Sequence, residues 1–162
     1  GDYGLEVNRE VDERYHVEKS TYAACDYMLD AYEKYGSWTL VAASFNAGMR
    51  GIDRQLERQK ADDYYDLLLV SETSRYVFRI AALKLILQNP EKYNLIVNDD
   101  DKYPVIPVKE VEVSGPVEDF ADFAHKHNIN YKLLKDFNPW LRQAYLTNSS
   151  GKKYTIKIPV LE

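Results

Sequence analysis

Residues 37–48 constrain the fold of this chain most, because they form a nearly continuous apolar run between two helix-capping residues. Ser37 can cap the start of a helix, and Gly48 can adopt the left-handed backbone that ends one. The apolar side chains between them would point to every side of such a helix: Trp38, Leu40, Val41, Ala42, Ala43 and Phe45. A helix that is apolar all round is buried, so we expect a central helix inside a helical cluster.

This central helix would end on the amide of Asn46. Asparagine is common at helix C-termini, so a purely structural cap is one interpretation of the residue. The other interpretation is that the helix delivers this amide to a binding site. The stretch alone leaves both interpretations open.

Amphipathic segments on either side of the central helix predict the other helices of the cluster. Residues 20–35 and about 51–60 carry apolar side chains at the 3.6-residue period of a helix. A further helix should cover residues 71–88 and stop before the following Asn-Pro, because a residue that precedes proline is disfavoured in a helix. We therefore predict an all-α region over residues 1–94, followed by an extended linker at residues 95–107.

Residues 108–162 carry a different pattern. Residues 111–113 and 154–159 alternate apolar and polar side chains, as half-buried strands do. Residues 116–127 and 131–137 lie between them and have helical spacing. The order strand, helix, helix, strand predicts a small βααβ domain, and the chain as a whole is predicted to be α+β.

Composition and charge argue against several classes of partner. The formal net charge of −5 gives no support to nucleic-acid binding. No apolar run approaches the roughly 20 residues that a membrane-spanning helix needs. The single cysteine, Cys25, rules out an internal disulfide, and its helical context predicts a buried small side chain. The three histidines lack the spacing of a metal site and are expected to be solvated, so we predict no metal and no other cofactor.

Six short blocks occur in one order along the first part of the chain. They are Tyr3-Gly4-Leu5, Val11-Asp12-Glu13-Arg14, Lys19-Ser20-Thr21-Tyr22-Ala23-Ala24, Gly36-Ser37-Trp38-Thr39-Leu40, Phe45-Asn46-Ala47-Gly48 and Glu72-Thr73-Ser74-Arg75-Tyr76-Val77. Together they resemble the lytic transglycosylase domain with a goose-lysozyme-like fold, over about residues 1–94. Residues 133–139 and 156–159 make the tail similar to a LysM module. Ser114-Gly115-Pro116-Val117 stands where that family has Gly-Asp-Thr-Leu.

The resemblance implies an activity on the glycan strands of peptidoglycan. Lytic transglycosylases cleave the β-1,4 bond between N-acetylmuramic acid and N-acetylglucosamine, and they leave a 1,6-anhydro end without adding water. One glutamic acid protonates the leaving oxygen and then accepts the proton of the muramic C6 hydroxyl. The resemblance also implies a periplasmic place in the bacterial cell envelope, with a lipid anchor of the parent protein left open.

The family's glutamate belongs to a Glu-Ser motif upstream of Tyr-Gly-Leu. No Glu-Ser precedes Tyr3-Gly4-Leu5 in this sequence. We therefore expect the catalytic acid upstream of Gly1. The 162 residues are then predicted to hold no catalytic residue and to be inactive alone.

The resemblance assigns four substrate-binding candidates. Asn46 matches the asparagine of the family's Ala-Tyr-Asn motif, with Phe45 in place of the usual tyrosine. Tyr76 matches the family's active-site tyrosine. Glu72 is the fourth candidate, although a carboxylate is also common at the start of a helix.

Three functions stay open on the sequence alone. The chain is part of a peptidoglycan lytic transglycosylase, a non-catalytic peptidoglycan-binding protein, or a helical interaction domain without sugar chemistry. The predicted absence of the upstream part of the domain has a physical consequence as well. The central helix should lack part of its cover and leave exposed apolar surface.

Overall fold

The computed structural model describes residues 3–160, which divide into two compact units. The helical unit comprises residues 24–102, and the mixed unit combines residues 3–23 with residues 103–160. Helices together with an antiparallel strand pair confirm the predicted α+β class. Between residues 3 and 160, no helix is long and apolar enough to cross a membrane.

The helical unit is built from consecutive helices with short connections. The helix bounds are Val17–Tyr35 for α1, Trp38–Ala47 for α2, Met49–Gln59 for α3 and Ser71–Gln88 for α4. Helix α1 belongs to this unit from residue 24 onward. Helix α1 begins earlier than predicted. The reason is that Ser20 and Thr21 donate their hydroxyl hydrogen bonds to the Val17 carbonyl, over 3.1 and 2.7 Å, from inside the helix instead of capping its start.

The core of the helical unit lies where α2, α3 and the chain before α4 meet. Its buried side chains are Leu40, Ala43, Ile52, Tyr64 and Leu67. Tyr64 belongs to a short 3-10 turn, Tyr64–Asp66. Its hydroxyl donates to the backbone carbonyls of Thr73 and Ser74, over 3.1 and 2.7 Å. These bonds fix the first turn of α4 to the core.

Helix α2 is not buried on all sides, so that part of the prediction is wrong. Its buried residues are Leu40, Val41, Ala43 and Ser44. They form one side of the helix, and Trp38 and Phe45 flank that side next to Val41, where they are 57% and 45% exposed. Ser37 occupies the N-cap position but makes no capping bond with its side chain, whereas Gly48 ends the helix with the predicted positive φ of 77°.

Exposed apolar surface is extensive in the helical unit. Phe78, Leu83 and Leu87 of α4 are 58%, 58% and 75% exposed. Together with Trp38 and Phe45 of α2, they confirm the expectation of exposed apolar surface in this region. The prediction of a buried Cys25 is wrong, because Cys25 is exposed and lies off the α1 face that carries the buried Ala31.

The mixed unit contains the predicted βααβ order, and we call residues 108–160 the βααβ module. Its elements are β1 at Val108–Val113, α5 at Phe120–Lys126, α6 at Tyr131–Phe137 and β2 at Tyr154–Pro159. The strands pair antiparallel, with Val111 opposite Ile156. Helix α5 begins later than predicted, because the side chain of Asp119 caps it by accepting from the backbone N–H of Ala121.

Residues 6–18, which we call the acidic segment, pack on the βααβ module within the mixed unit. Val11 is 1% exposed and belongs to the same core as Phe120, Leu141 and Ile156. Its backbone forms an antiparallel bridge with Leu141. The domain bounds predicted from the sequence, 1–94, 95–107 and 108–162, stay a prediction. The two compact units of the structure have different bounds, because residues 3–23 pack with the βααβ module.

One side chain of the acidic segment, that of His16, differs from expectation. His16 is not solvated: its ring lies 5.9 Å from that of Trp140, and its Nδ1 lies 3.2 Å from Oε2 of Glu18. Burial in this position lowers the pKa of His16. Its burial follows from contacts with residues far away in the chain, which the polar local sequence does not reveal.

Candidate functional site

The candidate site is built where α2 ends and α4 begins, both in the helical unit. Asn46 lies in the last turn of α2 and Thr73 in the first turn of α4. The Thr73 hydroxyl donates a hydrogen bond to Oδ1 of Asn46 over 2.9 Å. Thr73 is 2% exposed, so this bond is made at the edge of the core. Asn46 is therefore more than a helix cap, because its side chain joins two helices.

The Thr73 bond has a consequence for the Asn46 amide. Since Oδ1 accepts from Thr73, the Nδ2 group is the remaining donor. Among residues 3–160, no protein group accepts a hydrogen bond from Nδ2, and Asn46 is only half-buried. An oriented amide with a free donor can bind a hydroxyl or carbonyl oxygen of a ligand.

Tyr76 follows Thr73 by three residues in α4, so the two side chains lie on neighbouring positions of one helix face. Tyr76 is half-buried. Its hydroxyl makes no hydrogen bond to another group in the described part of the chain. Helix geometry thus makes Tyr76 a neighbour of Thr73 on α4, and its hydroxyl is available to a ligand.

Phe45 directly precedes Asn46 in the sequence, and its partly exposed ring is held in place by Tyr27 of α1. The Tyr27 and Phe45 rings make a T-shaped contact, with 5.7 Å between ring centroids and 75° between the planes. The Tyr27 hydroxyl also donates to the Ser44 carbonyl over 2.7 Å. Because α1 holds the end of α2 in this way, Phe45 can offer its exposed surface to the apolar face of a sugar ring.

Glu72 is the candidate that the structure supports least. It is exposed in the first turn of α4, and its carboxylate makes no hydrogen bond or ion pair within residues 3–160. A carboxylate in this position interacts favourably with the helix dipole. The geometry therefore fits a helix-start residue and shows no partner that would orient Glu72 toward a substrate.

Sequence reasoning missed Thr73 and Tyr27 as supporting residues. Thr73 stands inside the Glu72-to-Val77 block, but its hydroxyl resembles that of any threonine at a helix start. Tyr27 lies outside the six blocks. Its role depends on the packing of α1 against α2, which no local pattern shows.

Clefts with measurable volume lie elsewhere: one of about 480 Å³ is lined by Arg54, Gln55, Glu57 and Arg58 of α3, and others lie in the mixed unit. In the mixed unit, one of about 410 Å³ separates residues 6–11 from residues 146–150, and another of about 330 Å³ is lined by Tyr15, His16 and Lys157 among others. None of the four predicted substrate-binding residues lines any of these clefts. We place the candidate site at Asn46, because its polar groups are oriented and open, whereas Glu10 and Glu18 in the two clefts of the mixed unit already bind Thr147 and Lys157.

Comparison with known proteins decides the family. Residues 1–68 match the model of the transglycosylase SLT domain, and residues 109–162 match that of the soluble lytic transglycosylase C-terminal LysM-like domain. The chain belongs to the lytic transglycosylase family. Phe45 and Asn46 lie within the SLT match, and Glu72 and Tyr76 follow it.

Curated relatives agree with this family assignment. Membrane-bound lytic murein transglycosylase D of Escherichia coli strain K12 is 33% identical to this chain over 159 residues, and the same protein of strain O6:H1 is equally similar. Each alignment covers 95% of this chain but only 34% of the relative. The chain thus spans about a third of the length of these relatives.

Proposed function

We propose that this chain forms one side of the glycan-binding cleft of a peptidoglycan lytic transglycosylase, and that the proton-transferring glutamate is not among its 162 residues. The observation that carries the proposal is the Thr73–Asn46 hydrogen bond of 2.9 Å, which orients the Asn46 amide and leaves its Nδ2 donor free. Gly1, upstream of which that glutamate is predicted, lies outside the described residues.

The reaction of such an enzyme needs no water and no second carboxylate. The muramic C6 oxygen attacks its own anomeric carbon, and the bond from that carbon to O4 of N-acetylglucosamine breaks. The leaving O4 takes a proton from the glutamic acid, and the resulting carboxylate accepts the proton of the C6 hydroxyl. Because the nucleophile belongs to the substrate, positioning of the sugar by surrounding residues contributes strongly to the rate.

Three residues of this chain would position the sugar. Nδ2 of Asn46 donates to a substrate oxygen, and the Tyr76 hydroxyl binds a second polar group of the sugar or orients the acid. Phe45 packs against an apolar face of the saccharide. We propose peptidoglycan glycan strands as the partner and the periplasmic side of the bacterial envelope as the location, in line with the membrane-bound murein transglycosylase to which the chain is similar.

Binding of the chain to insoluble peptidoglycan tests the cleft. Asn46→Asp keeps an oxygen that accepts from Thr73 but removes the free donor, so we expect about a tenfold loss of affinity, the equivalent of one hydrogen bond. Tyr76→Phe should weaken binding by a similar factor. Tyr103→Phe removes a hydroxyl from a tyrosine that is 99% exposed and serves as the matched control. Equal affinity of all four proteins would contradict the assignment of the cleft.

The alternative function is a non-catalytic peptidoglycan-binding protein. The exposed position of Glu72, without an orienting partner in the described residues, favours it over an enzyme that is complete within this chain. A Glu-Ser dipeptide encoded upstream of Tyr3-Gly4-Leu5 in the same reading frame would favour the transglycosylase. A reading frame without such a glutamate would favour the binding protein.

A further inference from the structure

The carboxylates of the acidic segment bind polar groups of the βααβ module. Glu10 accepts from both the backbone N–H and the hydroxyl of Thr147, each over 2.7 Å. Glu6 accepts from the Tyr154 hydroxyl at 3.0 Å and from Nζ of Lys152 at 2.5 Å. These acceptors meet hydroxyl, ammonium and amide donors, so the module surface is chemically complementary to an acidic chain.

Backbone pairing fixes the register of the acidic segment on the module. The N–H of Asp12 donates to the Trp140 carbonyl over 2.9 Å, and the N–H of Arg142 donates to the Glu10 carbonyl over 2.7 Å. With the Val11–Leu141 bridge between them, these bonds form a short antiparallel pairing. The loop after α6 therefore binds the segment as one strand binds another, which sets its register as well as its affinity.

The segment also completes the core of the module. The Val11 side chain is 1% exposed among buried module residues that include Phe120, Leu134 and Ile156. Removing such a side chain leaves a cavity that the surrounding residues cannot fill. Domains of about fifty residues bury little apolar surface, so each core residue accounts for a large share of their stability.

The first turn of α1 is held by the same network. Glu13 is 3% exposed, and its carboxylate accepts from Lys19 and, over 2.8 Å, from the backbone N–H of Glu6. Glu18 pairs with Lys157 of β2. The module thus contacts the start of a helix that continues into the helical unit as part of the same residue run, Val17–Tyr35.

We infer that the βααβ module folds only together with the acidic segment, and that the module holds the start of α1 in place through the Glu18–Lys157 pair. The partner that this surface recognises is an extended acidic strand of its own chain. The acidic segment, which lies in the SLT match, and the βααβ module, which corresponds to the LysM-like match, then fold as one cooperative unit. A LysM-like domain that folds alone and binds glycan separately is the arrangement this inference opposes.

Amide hydrogen exchange on the intact chain tests the inference, under conditions where the rate reports the opening equilibrium. We expect the amides of Asp12 and Arg142, which join segment and module, to exchange in the same slow class as the most protected amides of β1 and β2. If the strand amides are protected far more than those of Asp12 and Arg142, the module opens without the segment and the inference is overturned.

Two substitutions extend the test. Val11→Ala should speed the exchange of the segment amides and of the β1–β2 amides by the same factor, roughly tenfold or more, because it opens a cavity in the shared core. Glu10→Ala is a milder variant that removes two hydrogen bonds and should speed both sets together by about fivefold. An effect of either variant on the segment amides alone would contradict the shared unit.

Two control variants test whether the change in exchange rate is specific to Val11 and Glu10. They make the same kinds of substitution at exposed positions. Val105→Ala shortens a valine that is 94% exposed, and Glu118→Ala removes an exposed carboxylate next to α5. Both should leave exchange unchanged. Since no glycan takes part in these measurements, their outcome does not depend on the proposed cleft at Asn46.

Discussion

The hydroxyl of Thr73 and the side-chain oxygen of Asn46 are joined by a hydrogen bond of 2.9 Å, which links the first turn of α4 to the last turn of α2. Thr73 is itself held in place, because Tyr64 donates to its backbone carbonyl over 3.1 Å. The order of contacts from the core outward is Tyr64, Thr73 and Asn46. Thr73 is therefore a positioning residue, and Asn46 is the residue that would touch the ligand.

Thr73→Val should weaken glycan binding although the side chain at position 73 does not contact the ligand. The substitution keeps the shape of the side chain but removes the hydroxyl, so the Asn46 amide loses its orientation. We expect a loss of about 1 kcal/mol in unfolding free energy and a several-fold loss of affinity for peptidoglycan. Chemical unfolding and pelleting with insoluble peptidoglycan measure the two effects. Thr155→Val, at an exposed position of β2, is the control, and unchanged binding by Thr73→Val would show that Asn46 needs no such support.

Acid should destabilise the mixed unit through Glu13. Burial raises the pKa of Glu13, but hydrogen bonds from Lys19 and from the Glu6 backbone, with the charge of Lys19, together hold it below its ordinary value of 4.5. A carboxyl whose pKa is lowered on folding stabilises the protein above the unfolded pKa, and this contribution is lost as the pH falls through the folded pKa. The stability advantage of the wild type over Glu13→Gln should therefore be present at pH 7 and shrink below about pH 4.5.

Thermal unfolding followed by Trp140 fluorescence in a Trp38→Phe background measures this advantage. Trp140 is 4% exposed in the mixed unit, and Trp38 belongs to the helical unit, so the background isolates the relevant signal. Glu118→Gln replaces an exposed carboxylate outside the bonded network and is the control. An advantage that stays constant down to pH 3 would mean that the Glu13–Lys19 pair does not couple protonation to folding.

Lys135 should also make stability rise with pH, but in the alkaline range. Its ammonium donates to the backbone carbonyls of Leu141 and Gln143, and burial, assisted by the charge of Arg142, lowers the pKa of Lys135 to about 8. Between that pH and the ordinary value of 10.5, the unfolded chain binds a proton that the folded chain has released, so stability rises with pH. The difference in unfolding free energy between the wild type and Lys135→Met should therefore increase from pH 8 to pH 10.5.

Urea unfolding at pH 7.5 and pH 10 measures that difference. The comparison with Lys135→Met cancels the titration of groups that both proteins share. Among these is Tyr154, whose pKa burial and a hydrogen bond to Glu6 raise to about 12. A difference that is flat or falls across this range would contradict the placement of Lys135 as a buried cation.

Elements with strong local signals could be predicted from the sequence to the residue. Helix α6 spans Tyr131–Phe137 as predicted, because the Asn-Pro pair that follows cannot continue it. Strand β2 spans Tyr154–Pro159 as predicted, because its apolar residues alternate and a proline ends the run. Gly48 ends α2 for an equally local reason, its positive φ.

The remaining features depend on residues far apart in the chain. Val11 stands alone in a charged stretch, so no periodicity marks it, and its burial comes from pairing with Leu141. Trp38 and Phe45 are apolar, but composition does not tell which face of a helix its neighbours will cover. At the candidate site, the blocks led to Asn46 and Tyr76, whereas the role of Thr73 required the packing of α4 on α2.

Digestion of purified peptidoglycan by this 162-residue chain, with mass spectrometry for 1,6-anhydro ends, tests the central claim most directly. The claim is that these residues bind glycan but do not contain the proton-transferring acid. We predict retention of the chain on insoluble peptidoglycan without release of anhydro products. Anhydro ends produced by the pure chain and lost in Glu72→Gln would contradict the account, because they would place the acid at Glu72, inside these residues.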